Sequence, residues 1–505
     1  MSAGIGFGRL VHAEWTKFRT VRGWVIGMVV AAAVLLLMSL LGVSGSSGGG
    51  GGGPGPVAPN GKPVNDSFTF VDQPLAGDGS IIVRVTSLTG VIQANGPDET
   101  PTAASEPWAK AGVIIKASTS QASTYAAIMV TPSHGVRMQH DFVNDIAGSA
   151  ATVSPDSPRW LRLTRLGDAI TGSESADGTT WTDVGTVRLP DLPTTALIGM
   201  FVTSPDHEVT TQSFGEQDTI GGPTVATAVF DHVSLDTAGS VGTASAWGHD
   251  EISGGRGGLP RDVVTATEDN GTFTVLGSGD IAPIVAGPGS NTVEQGLIGA
   301  FACLIVVIVL GTMFVTSEYR RGLIRTTLTA SPRRGRVLAA KAVVIGGITF
   351  VVGLAASTAA FALVGKIRRD KGQGVYPTST MTDVRIVVGT AALLAVAAVL
   401  AMAVGTILRR GAGAVAAGVV LIVLPYILAV ASVLPVGPGR WLLRLTPAAA
   451  FAIQQSSTKY FQVTSTYTPS TGYFPLTPWA GFAVLCAWAA VALGVATLML
   501  RRRDP

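Results

Sequence analysis

The chain has 505 residues, of which 13% are charged and 47% hydrophobic, and its formal net charge is +3. Soluble domains carry about 25% charged residues, so this composition excludes a wholly soluble protein. The small net charge hides a division: residues 44–295 hold 27 Asp and Glu against 11 Lys and Arg, and the rest holds 5 against 24.

The chain opens on "GRLVHAEWTKFRTVR", Gly8–Arg22. Val11, Trp15, Phe18 and Val21 fall at helical spacing on one face, and Glu14, Lys17 and the arginines take the other. This predicts an amphipathic helix lying in the membrane interface with Trp15 at headgroup depth. A basic flank that only sets topology is the plainer reading of Lys17, Arg19 and Arg22.

Six apolar stretches are long enough to cross about 30 Å of hydrocarbon as helices. They are Trp24–Val43, Gly296–Val315, Ala342–Val364, Ile386–Leu408, Ala414–Val433 and Pro478–Leu500. The first is too long for a signal-peptide core, and a Gly tract follows it rather than a cleavage site. None carries an ionisable residue in its interior, which disfavours an ion-coupled transporter. Pro425 removes a hydrogen bond from the fifth and bends it, or is simply tolerated.

With the N-terminus inside, 16 bases fall in cytoplasmic pieces and 8 in the short outer loops, as the positive-inside rule requires. Both termini are then cytoplasmic and residues 44–295 extracellular. "KIRRDK", Lys366–Lys371, resists this scheme as a basic patch on the outer side.

After the first span, residues 44–64 form a Gly-rich tether. Residues 65–240 show short alternating runs such as "SIIVRVTSL", "AGVIIKAS", "YAAIMVT" and "TAVFDHVSL", which predict an antiparallel β-sandwich. An Asp-Gly turn in "ADGTTW", Ala176–Trp181, marks a hairpin. Residues 241–295 read as a return linker, with one strand at "GTFTVLG". The only cysteines, Cys303 and Cys486, lie in apolar runs, so the sandwich has no disulfides. Trp108, Tyr125, Trp160 and Trp181 are candidate glycan contacts, with sandwich core as the plainer reading. No paired-carboxylate run of the glycosidase kind occurs, and no catalytic, cofactor or metal site is expected.

Between the second and third spans lies "TSEYRRGLIRTTLTASPRRGRVLAAK", residues 316–341, with six arginines, one lysine and a single acid, Glu318. The positive-inside rule explains the sign of this loop. It does not explain the mixture of an acid, hydroxyls and apolar Leu323, Ile324 and Leu328. Residues 445–455, "LTPAAAFAIQQ", are too short to span and predict an interfacial or re-entrant helix on the outer side. The chain ends on a basic tail, residues 501–505.

"HAEWTKFRTVRGW", "SEYRRGLIRTTLTASPRRGRVLAAK" and six spans ending in "RRR" together resemble the permease subunits of the type-2 ABC transporter class, in its actinobacterial form. "WAKAGVIIKAS", "WLRLTRLGDAITGSESADGTTWTDVG" and "ATAVFDHVSL" resemble the concanavalin-like lectin/glucanase sandwiches. The first resemblance implies a six-helix membrane fold, probed by a connecting helix at Trp15, Lys17, Arg19 and Arg22. It also implies a coupling helix that docks on a separate ATPase subunit through Glu318, Tyr319, Arg320, Arg321, Arg325, Pro332, Arg333 and Arg334. It implies a second permease copy or paralogue and contact with membrane lipid. No phosphate-binding loop is present, so ATP hydrolysis is expected in the partner, and no nucleic-acid partner is expected. The function expected is an ATP-driven exporter with an extracellular lectin-like domain that captures substrate, binds cell-wall glycan or guards the exit. The alternative is a membrane-anchored carbohydrate-binding or carbohydrate-cleaving surface protein, which leaves five spans unexplained. An ion pair between Glu318 and Arg19 or Arg22 is expected to tie the connecting helix to the second span.

Overall fold

The computed structural model describes residues 6–45, 55–93, 100–213, 216–237, 247–252, 264–286, 291–320, 322, 334–431, 434, 436–464 and 467–502. Helix α1 (Phe7–Thr20) leads into α2 (Arg22–Gly45). After the β-rich insert come α3 (Gly299–Arg320), α4 (Arg334–Asp370) and α5 (Thr380–Leu408). Next are α6 (Gly411–Ile422), α7 (Leu424–Val430), α8 (Val436–Leu445) and α9 (Pro478–Arg502). Among the described residues, six helical segments are long and apolar enough to cross a membrane, the fifth being α6 and α7 together. That span is broken at Val423, with Pro425 in the first turn of α7, because proline cannot donate the bond that would continue the helix.

Helix α5 is the axis of the bundle. In its apolar window 78% of the residues are buried, against 22% for the first, fifth and sixth spans. Small residues allow this closeness. A Cβ on Gly311 of α3 would come within 2.5 Å of the Ala398 carbonyl oxygen of α5.

The insert is two antiparallel sheets packed face to face. One has eight strands, including Gly79–Ile92, Arg159–Leu166 and Thr224–Thr237; the other has seven, including Phe68–Ala76, Lys110–Lys116 and Thr195–Thr203. Alternating residues such as Ile81, Val83, Val85, Leu161, Leu163, Val113 and Ile115 fill the space between them, the period-two burial expected of strands with one inner face. A second apolar cluster, with Phe68, Phe70, Tyr125, Phe142, Phe201 and Ile281, covers the outer face of the seven-stranded sheet. Two buried ion pairs pin chain across this face: Lys116 to Asp66 at 2.6 Å and Lys110 to Asp280 at 2.5 Å. Burial lowers the Lys116 pKa and raises that of Asp66, against the attraction between them.

The return segment is more than a linker. Gly248–Ile252 pairs with Phe68–Ala76, Thr272–Gly277 pairs with Thr224–Thr237, and Ile281–Pro283 pairs with Val64–Asp66. Its Phe273 and Val275 enter the inter-sheet core. Gly, Ser and Thr dominate this stretch, so its strands lack a long apolar alternation and the sequence reading passed over all but one.

The sandwich meets the membrane domain through the chain between α8 and α9. Lys62 Nζ donates to the Tyr460 hydroxyl at 2.9 Å, Gln462 Nε2 donates to the Phe142 carbonyl at 3.3 Å, and Phe461 stands edge-on to Trp108, 5.3 Å between ring centroids. Tyr376, between α4 and α5, donates its hydroxyl to the Ile284 carbonyl at 2.8 Å.

The basic patch at the sandwich end of α4 has a structural purpose. Arg368 is buried and donates to the Thr292 carbonyl at 2.8 Å, and Lys371 reaches the Val43 carbonyl at the end of α2 at 3.4 Å. Lys371 satisfies a carbonyl left open where α2 ends, and Arg368 one in the chain just before the 3-10 turn at Glu294–Leu297.

Residues 447–454 form a 3-10 helix that is buried throughout, which removes the interfacial reading and leaves the re-entrant one. Gly481 of α9 packs on the Ala449 carbonyl, Gln454 Nε2 donates to Thr390 Oγ1 at 2.8 Å, and Arg385 donates to the Ile453 and Gln455 carbonyls. The amphipathic helix is the one before it, α8.

Candidate functional site

At the end of the bundle opposite the sandwich, four charged side chains from three elements converge. Lys341, on the second turn of α4, donates to Glu14 Oε2 of α1 and to Glu318 Oε1 of α3, each at 2.7 Å. Lys17, one turn on from Glu14, lies 3.0 Å from Glu14 and 3.6 Å from Glu318. The side chains of Lys341, Glu14 and Glu318 are 2%, 5% and 12% exposed, and that of Lys17 is 44% exposed. Two ammoniums and two carboxylates make the group formally neutral, which is the condition for burying it. Burial works against the charged form of Lys17, but Glu318 and Glu14 outweigh it and raise its pKa.

Aromatic rings close the site on the membrane side. Lys341 Nζ lies 5.1 Å from the centre of the Phe314 ring, a cation–π distance, and Phe18 and Trp24 pack against the same ring. The side chain that enters this core from α1 beside Phe18 is Glu14, 3% exposed, whereas Trp15 and Val21 are 44% and 43% exposed. The sequence reading placed Glu14 on the solvent face because it took charge as a mark of exposure. The buried partner Lys341 reverses that.

The expected partners of Glu318 are corrected in the same way. Arg19 and Arg22 are exposed, and Glu318 bonds to Lys341 and Lys17 instead. Lys341 was assigned to the loop, one residue before the third span, but α4 begins at Arg334, so Lys341 is carried on the helix face turned to α1 and α3. Tyr319 is half-buried with the Arg409 guanidinium over its ring at 5.3 Å, and Arg320 is exposed. Arg334 donates to the Leu500 carbonyl, tying the start of α4 to the end of α9. Arg321, Arg325, Pro332 and Arg333 lie outside the described residues.

The four candidate glycan aromatics do not form an open platform. Trp108 and Tyr125 are 3% and 0% exposed. Trp108 stacks on His134 at 3.9 Å, and Tyr125 stands edge-on to Phe142. Trp160 and Trp181 share the outer face of the eight-stranded sheet, but Arg84 lies over the first and Arg162 over the second, at 5.6 and 4.4 Å. A sugar ring stacks on a free aromatic face, and these guanidiniums already occupy one.

A family model described as "ABC-2 family transporter protein" matches residues 104–505, which spans most of the sandwich and all five later spans. The chain belongs to the ABC-2 transporter family. An ABC-2 chain of this kind typically lacks the ATPase, so membership implies an ATP-binding partner. The ABC-2 assignment also gives the ion cluster a context, since it lies on both sides of the loop joining α3 to α4. No curated protein matches the chain. Among solved structures, similarity is found to two crystal structures of scytalido-glutamic peptidase bound to transition-state analogues. Each is 7% identical and covers 44% of this chain and 100% of that one, at TM-scores of 0.27 and 0.23. A functionally unknown protein from Saccharomyces cerevisiae is 18% identical over 38% of this chain and 85% of its own, at a TM-score of 0.22. Scores this low carry neither fold nor chemistry across to the ABC-2 chain.

Proposed function

We propose that the protein is the membrane subunit of an ATP-driven exporter, with its sandwich outside the cell and α1 and the α3–α4 loop in the cytoplasm. The positive-inside count supports this orientation. The observation that carries the reading is the ion cluster. Glu14, Glu318 and Lys341 join α1, the end of the second span and the start of the third at the end of the bundle where an ATPase would dock. A partner that moves the α3–α4 loop would then move α1 with it. Two such permeases and two ATPases form the working assembly, and the chain contributes no catalytic residue or cofactor of its own.

The docked sandwich stands on the loop that leads into the last span, which supports a role at the exit of the transport path. Binding of cell-wall glycan there would fall to half-buried Trp160 and Trp181 or to other surfaces, since Trp108 and Tyr125 are buried.

The test is transport in proteoliposomes with the cognate ATPase. Lys341→Met is expected to leave the ATPase bound while ATP-driven transport falls at least tenfold. Wild-type transport in that variant would refute the coupling role.

A further inference from the structure

Helix α8 holds two arginines for which the described residues supply no acid or carbonyl. Between Asp383 and Asp504 the sequence has no Asp or Glu. Arg368, Lys371 and Arg385, at the same end of the bundle, are used by backbone carbonyls. Arg440 and Arg444 are exposed, and among the described residues neither has a carboxylate or carbonyl partner. Arg444 contacts only the Trp441 ring, at 5.4 Å.

The surroundings of these arginines are apolar. Trp441 and Leu445, on the same short helix, are 59% and 63% exposed. A crevice lined by Ala429, Gly439, Leu443, Tyr473 and Pro475 opens beside Arg440. Depth follows from the neighbouring span. Trp488 Nε1 of α9 donates to the Leu445 carbonyl at 3.0 Å, and Trp488 lies about 15 Å along α9 from its start at the helical rise. Its side chain leans back toward that start, so the end of α8 sits on the order of 10 Å below the first residue of α9. Exposed Trp479, at 67%, marks the interface above it. An arginine at that depth extends its guanidinium toward the headgroups, and an unpaired charge there needs an anion.

We infer that the exposed face of α8 binds an anionic phospholipid of the leaflet on the sandwich side, with Arg440 and Arg444 holding the headgroup phosphate and Trp441 and Leu445 lying along an acyl chain. Charge complementarity commits the site to lipid. Two guanidiniums without an internal acid favour a headgroup with net negative charge over a zwitterionic one, and the apolar side chains between them favour an acylated ligand over a free anion. The assignment does not depend on which side of the membrane the sandwich occupies.

The experiment is native mass spectrometry of the purified full-length chain titrated with equimolar phosphatidylglycerol and phosphatidylcholine. At about fivefold per arginine near an anionic headgroup, the wild type is expected to retain phosphatidylglycerol by a factor of about 25. Arg440→Gln with Arg444→Gln is expected to abolish that preference, the double Arg→Lys variant to keep most of it, and Arg502→Gln, at the opposite end of the bundle, to leave it unchanged. Should the double Gln variant fail to fold, Arg440→Gln alone, losing about fivefold, decides. Equal retention of the two lipids by the wild type overturns the inference, as does an undiminished preference in the Gln variants. Displacement of the lipid by millimolar inorganic phosphate would also overturn it, by showing a site for a free anion.

Discussion

Replacing Lys341 with methionine tests whether the buried ion cluster acts as one unit. Lys341 is the cation shared by Glu14 and Glu318, at 2.7 Å from each. Its loss leaves two nearly buried carboxylates facing each other with only half-exposed Lys17 between them, 3.0 and 3.6 Å away. Breaking a buried pair costs about 3–5 kcal/mol because a charge is left uncompensated. Lys17 offsets part of this, so the expected cost is at the lower end, about 3 kcal/mol. Glu318→Gln is milder. It leaves Lys341 bonded to Glu14 and lets Lys17 turn outward, so the loss is about that of one charge-assisted hydrogen bond, roughly 1.5–3 kcal/mol. Combining the two leaves Lys17 and Glu14 as a neutral pair, and the total should fall short of the sum by about 1–3 kcal/mol. Denaturant unfolding of the detergent-solubilised protein, read as a double-mutant cycle, measures this. Additivity within about 0.5 kcal/mol would refute the claim that Lys341 and Glu318 share one buried cluster. The same variants separate stability from coupling: the double variant should be about as stable as Lys341→Met alone and should transport no better, since no bond then joins α3 to α4 at this point.

Three further outcomes follow from the sandwich. Residues 55–286 expressed alone should give a soluble β-rich protein with a cooperative melt, whereas 65–240, lacking the strand Thr272–Gly277 and the Asp280 partner of Lys110, should melt lower or not cooperatively; circular dichroism decides. Burial and the nearby Asp250 push the Asp72 pKa up to about 6. A carboxyl with a raised pKa binds its proton more tightly in the folded state, so its contribution is favourable at low pH and is lost as pH rises through roughly 4 to 6. Asp72→Asn should therefore raise the melting temperature of that domain at pH 7.5 and leave it nearly unchanged at pH 4. Phe461→Ala removes ring contacts to Trp108 and His134. Phe461 is 62% exposed, so the expected loss is only about 0.5–1.5 kcal/mol, seen in the full-length chain as faster hydrogen exchange around Trp108 with exchange in the inter-sheet core unchanged.

The spans were legible because the rule behind them is local. A run of about 20 apolar residues has few other stable arrangements, and strands such as "SIIVRVTSL" announce themselves by alternation. The ion cluster was not legible for the opposite reason. Glu14, Glu318 and Lys341 are far apart in sequence, each near the end of an apolar run, and charge at such a place ordinarily means solvent. What could have pointed to them is scarcity. Outside residues 44–295 the chain has only five acids, and two of the three on the basic side, Glu14 and Glu318, stand near the first and second spans, each able to neutralise a lysine.

The bases on the sandwich side bear on orientation by the same logic. The positive-inside rule counts charges as if all were free to interact with the membrane potential and its lipids. Arg368, Lys371 and Arg385 are not free, because each donates to one or two backbone carbonyls. Removing these from the outer tally widens the difference between the two sides and strengthens the placement of the sandwich outside. It leaves Lys366, Arg369, Arg440, Arg444 and Lys459 on that side, and of these only Arg440 and Arg444 share one short helix with exposed Trp441 and Leu445. A single glycosylation or cysteine-accessibility label in the loop around Lys459 would check the orientation directly. Labelling from the cytoplasmic side would overturn both the topology and the exporter reading, and would leave the lipid site on α8 standing in the other leaflet.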